Sequence, residues 1–160
     1  MTRRAALGVG VLGVVGGCAL NNPLSEESTP AARAARDLEP DVTVAVEAVT
    51  LVRGAQAAAR ATGERHPQLA PRVAGLTAMH AAHLAALVDA VPDGVDTSRA
   101  GAAYVVPAGP ARALAGLAAA ERALHDGLLG LALRARSGAF ARLLGSMAAA
   151  GSQQLHGLAS

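Results

Sequence analysis

Between Ala111 and Arg136, Leu114, Leu117, Leu124, Leu128 and Leu131 lie three, four or seven residues apart, and Glu121 falls in the same register. A period near 3.6 belongs to an α-helix, whereas a half-buried strand alternates by two. Such a stripe is stable in water only when other elements cover it. Three further segments offer that cover. A first helix is expected to begin between Pro30 and Asp41 and to run through Val42, Val46, Val49 and Val52 to about Ala61. Gly63 and Pro67 stop it, and Pro40 takes a first-turn position or produces a kink. A second helix is expected from about Gln68 to Val91, carrying Val73, Leu76, His80, His83, Leu84, Leu87 and Val88. After the break at Ser137-Gly138, a fourth runs from about Ala139 to Leu158 with Phe140, Leu144, Met147, Gly151, Leu155 and Leu158.

Residue usage points the same way. Alanine, leucine, valine and glycine supply nearly all the apolar mass of the 160 residues, which include one Phe, one Tyr, no Trp and no Ile. Alanine and leucine are strong helix formers, while a sheet of this size would draw on β-branched and aromatic residues. The expected fold class is therefore all-α. Between the second and third helices, Gly94, Gly101, Pro107 and Gly109 surround the short apolar stretch Ala102 to Val106. A connection of that length either crosses the bundle end to end or lies against it. Two short connections and one long one describe a four-helix bundle with a crossover.

The first eighteen residues have a different character. Thr2-Arg3-Arg4 is basic, Ala5 to Gly17 is an uncharged apolar run of thirteen residues, and Val15-Gly16-Gly17-Cys18 ends it with small residues before the only cysteine. A bilayer-spanning helix needs about twenty apolar residues, so a processed export signal fits better than a permanent anchor. The segment resembles a bacterial lipoprotein signal, which implies that Cys18 becomes the lipid-bearing N-terminus (an acyl chain such as palmitate) of a protein held on the outer face of the cell membrane. Arg3 and Arg4, followed by a glycine-diluted apolar run, are also similar to twin-arginine signals for folded cargo. Ala6 stands where those carry a bulky apolar residue, and the general secretory route reads the same arginines as an ordinary basic start. The expected organisation is a signal over residues 1–18, a flexible tether over 19–30 rich in Asn, Ser, Glu and Pro, and a bundle over 31–160.

Charge and cysteine usage exclude several functions. Of 14 basic residues, all arginine, two lie in the signal; the remaining twelve balance 12 acids. A neutral domain gives no footprint for nucleic acid. With its one cysteine given to lipid, the domain has no thiol for disulfides, metal or catalysis. Ser137, Ser146 and Ser152 lack a nucleophile-elbow context, and no glycine-rich phosphate loop follows a strand.

What remains is polar residues within apolar stripes, which cost free energy unless paired or ligating. His80 and His83 share one face of the second helix, Glu121 interrupts the leucines of the third, Glu47 stands among valines on the first, and Gln153 and His156 lie three apart on the fourth. Gln154 competes with Gln153 for the inward position, while His66 and His125 are expected at the surface. In helix order this layout resembles the ferritin-like di-iron bundles, in which two helices each give a glutamate and two each give Glu-x-x-His. Glu47 and Glu121 match the single carboxylates and His83 and His156 the histidines; His80 and Gln153 stand where bridging glutamates belong. The stretches Ala103 to Pro107 and Phe140 to Met147 look like those of exported ferritin-like lipoproteins of high-GC Gram-positive bacteria, a group without an assigned activity.

With two carboxylates in place of four, the charge of two divalent ions is not neutralised, and neither imidazole nor amide bridges metals as a carboxylate does. The expectation is a lipid-anchored, non-catalytic binding or structural module with a degenerate di-metal site, engaging a protein or small molecule and compatible with self-association. The alternative is a ferritin-like metal-binding protein or metal-dependent oxidase holding one iron, manganese or zinc ion.

Overall fold

A computed structural model describes the backbone of residues 30–159 and the side chains of 40–158. Arg3, Arg4 and Cys18, on which the export and lipid expectations rest, lie outside the described residues. Four α-helices follow one another: α1 (Pro30–Arg65), α2 (Ala70–Asp89), α3 (Pro110–Arg134) and α4 (Gly138–Ala159), with a single 3-10 turn at Pro67–Leu69 before α2. There is no strand among the described residues. Pro40 lies inside α1, and the helix also passes through Gly63 before it ends. Gly63 serves packing instead: a Cβ there would come within 3.1 Å of Val73 Cγ2 on α2. Pro67, which has no N–H for a continuing helix, begins the next turn.

The neighbours in the bundle are α1 with α2, α3 with α4, α1 with α3 and α2 with α4. Three polar contacts fix the direction of each helix. At one end, here the lower, the Asp41 carboxylate of α1 accepts hydrogen bonds from the backbone N–H of Arg136 (2.7 Å) and Ser137 (2.8 Å), just before α4 starts. At the upper end Arg72 of α2 donates to the Leu158 carbonyl of α4. His66, after α1, is bonded through Nε2 to the Pro107 carbonyl ahead of α3 at 2.9 Å. Thus α1 and α4 run upward, and α2 and α3 both run downward.

Residues 90 to 109 return the chain from the lower to the upper end along the outside of α1 and α3. Arg53 of α1 holds this strap by donating to the carbonyls of Thr97 and Arg99. Gly101 crosses α1 so closely that a Cβ would lie 2.3 Å from Gly54 Cα, so only glycine fits. Farther up, Tyr104 packs against the upper core.

The interior forms two apolar clusters. The lower contains Val44, Val49, Val52, Leu87, Leu128 and Leu144 among others, and the upper contains Ala58, Ala59, Val73, Leu76, Leu117 and Leu158. Residues Pro40–Arg65 would be long and apolar enough to cross a bilayer by length and composition alone. In this fold their inward residues, from Val44 to Ala59, make up much of the core.

Candidate functional site

Where the two clusters meet, the helical register brings two polar side chains inward. His80 follows Leu76 by one turn on α2, and Glu121 follows Leu117 by one turn on α3, so each shares the burial of its apolar predecessor. The His80 Nε2–H donates to Glu121 Oε1 at 2.9 Å, and both side chains are 0 % exposed. Along α2 and α3 the pair is flanked by Leu76 and Leu117 of the upper cluster and by Leu87 and Leu124 of the lower. In a low-dielectric setting this hydrogen bond is strong and its loss expensive.

His83 stands beside the pair. Its ring lies 6.3 Å from that of His80, at 68° to it. Burial lowers the pKa of the His83 imidazole from its ordinary value, the neighbouring His80 pushes the same way, and Glu121 opposes both. Three buried atoms in this group have no hydrogen-bond partner in the protein: His80 Nδ1, His83 Nδ1 and Glu121 Oε2.

The other residues expected here lie elsewhere. Glu47 is directed outward, its side chain 42 % exposed and its carboxylate gripped by two guanidinium nitrogens of Arg134, at 2.8 and 3.0 Å. That guanidinium holds the Glu47 carboxyl below its ordinary pKa. The cause of the outward turn is alanine. Ala45, Ala48, Ala55, Ala58 and Ala59 are buried together with Val44, Val49 and Val52, whereas Val42 and Val46 are only partly covered. The inward face of α1 is therefore centred on Ala48, and Glu47, one residue or about 100° away, falls off it. On α4, Gly151 and Leu158 are buried, but Gln153, Gln154 and His156 are exposed. Gln154 borders α2, where its Oε1 would be 2.8 Å from a Cβ at Gly75. The expected convergence of six residues thus reduces to His80, His83 and Glu121.

Two histidines expected at the surface are covered. His66 is 6 % exposed, sealed by its bond to Pro107. His125 is partly buried and bonded through Nδ1 to the Ala148 carbonyl of α4 at 3.0 Å, with Ser152 Oγ at 3.1 Å. Both act as ties between elements distant in sequence.

Among the described residues, no group of three or more His, Cys, Asp or Glu side chains is arranged to hold a metal ion. The donor set agrees, because a di-metal centre needs several bridging carboxylates and, of the expected ligands, Glu121 is the one carboxylate directed inward, one oxygen already accepting from His80. The residues present do not fit two metals. Compared with known protein families, with curated proteins and with solved structures, the chain gave no match.

Proposed function

We propose that this chain is an exported, lipid-anchored helical bundle of ferritin-like arrangement, acting as a non-catalytic binding or structural module on the outer face of the cell membrane. The observation that carries the non-catalytic part is the fate of the two glutamates: Glu121 is hydrogen-bonded to His80 in the interior, and Glu47 is paired with Arg134 outside. Neither glutamate that the ferritin-like layout would use as a ligand stands free of a side-chain partner. The parallel course of α2 and α3, joined by the strap over residues 90–109, supports the ferritin-like arrangement. The balance of twelve arginines and twelve acids beyond the signal argues against nucleic acid as partner. With α1 committed to the core, the attachment point is Cys18.

Membrane fractionation tests the anchor. Cys18→Ala moves the protein from the membrane pellet to the soluble fraction, and a variant that still pellets after a salt wash would refute the lipid attachment. Arg3→Lys with Arg4→Lys distinguishes the export routes: lost secretion means twin-arginine export, unchanged secretion the general route.

A second reading is favoured by the three unpartnered interior atoms. One divalent ion, bound through Glu121 and an imidazole of His80 or His83, would satisfy two of them. The His80 Nε2–Glu121 Oε1 bond uses none of these atoms, so the two readings differ in whether the remaining donors hold an ion.

A further inference from the structure

The lower end of the bundle contains a cavity of about 330 Å³ between α1, the segment after α2 and the start of α4. Val42, Ala45, Ala90, Pro92, Phe140 and Leu143 form its apolar wall. Only two polar side chains border it, and both are already engaged. Both oxygens of Asp41 accept backbone N–H bonds, and Ser137 Oγ accepts from the Phe140 N–H. A ligand for this cavity is therefore chiefly hydrocarbon and carries no negative charge, since the wall is mostly apolar and its one charged side chain is the Asp41 carboxylate.

The cavity also lies at the end where α1 leads back toward Cys18. From Asp41 to Pro30 the helix covers about 16 Å, and the twelve residues from Pro30 to Cys18 can stretch over about 40 Å. The chain before α1 is therefore more than long enough to return alongside it to the cavity mouth. We propose that the cavity takes one hydrocarbon chain of the lipid on Cys18, giving the bundle a second, non-covalent hold on its own anchor. This inference rests on the lipid attachment proposed above.

Photo-crosslinking in intact membranes tests it. Cells are supplied with a palmitate analogue bearing a terminal diazirine, the lipidated protein is irradiated in isolated membranes, and its peptides are mapped by mass spectrometry. The expected result is a crosslink from the Cys18 lipid to peptides containing residues 42–45 or 139–143. Ala139, exposed at the cavity wall, gives a control: Ala139→Trp fills the space and abolishes that crosslink while the intact mass still shows the lipid. A lipidated wild-type chain whose crosslinks go only to other lipids or other surfaces overturns the cavity assignment and leaves the anchor standing. A chain without lipid on Cys18 overturns both. Equal labelling of the same peptides in Cys18→Ala by the free analogue would assign the cavity to an external lipid and likewise overturn the proposal.

Discussion

Glu121 and Glu47 are both glutamates set among apolar residues of long helices, yet one lies at the centre of the bundle and the other on its rim. Glu121 has exchanged water for one imidazole between two apolar clusters. Glu47 keeps much of its hydration and meets Arg134 at the surface. Burial, not residue type, decides what each is worth: an interior group left without its partner carries its whole desolvation cost, while an exposed one falls back on solvent.

The largest test of this contrast breaks the interior pair from one side. His80→Leu or Glu121→Leu alone should lower stability by about 3 kcal/mol, because each strands the other polar group. The double replacement should return to within about 1 kcal/mol of the parent. Chemical denaturation of the four proteins closes this cycle, and strict additivity of the two losses would show that the residues do not act as a pair.

Asp41 lies between the two extremes, 8 % exposed and bonded to two backbone amides. Asp41→Ala should cost about 2 kcal/mol and release the start of α4 first, seen as faster amide exchange from residue 136 onward. Unaltered exchange there would contradict its role as a clamp.

For the surface pair, Glu47→Gln should cost only about 0.5 kcal/mol, a difference erased by high salt. With the folded-state pKa of Glu47 lowered, this contribution is present above its ordinary value near 4.5 and is lost as pH falls through the folded value. His83 shares the sign but not the cause, since burial and not a partner charge lowers its pKa. Its lowered pKa means that the unfolded chain binds more protons, so stability declines as pH falls below its ordinary value near 6.5. His83→Gln should flatten that slope, and urea titrations from pH 7.5 to 5 read it directly; an unchanged slope would show that His83 is not held off protonation by burial.

The leucine period of α3 and the phased apolar residues of α2 and α4 were enough to find the helices, since large side chains mark a buried face plainly. The same large residues also carried His80 and Glu121 inward at known steps. In α1 the apolar pattern misleads for a physical reason. Much of its interior is alanine, which occurs as readily outside as in, so the partly covered Val42 and Val46 draw the face toward Glu47 and away from Ala48. The exposure of Gln153 and His156 has a related origin, because α4 is short of large residues after Met147 until Leu155. His66 and His125 were hidden for another reason: their partners are backbone carbonyls of Pro107 and Ala148, and no side-chain pattern announces a carbonyl. Nor does spacing reveal where the strap lies, because the contact of Gly101 with Gly54 depends on tertiary packing.

The central claim is that Glu121 holds His80 and not a metal ion. The decisive measurement is metal content of residues 19–160 purified without chelator, together with Tm before and after adding iron, manganese or zinc. The account predicts no metal at one per chain and no shift in Tm. One tightly bound divalent ion per chain that raises Tm, and that is lost together with the shift in Glu121→Gln, would contradict it.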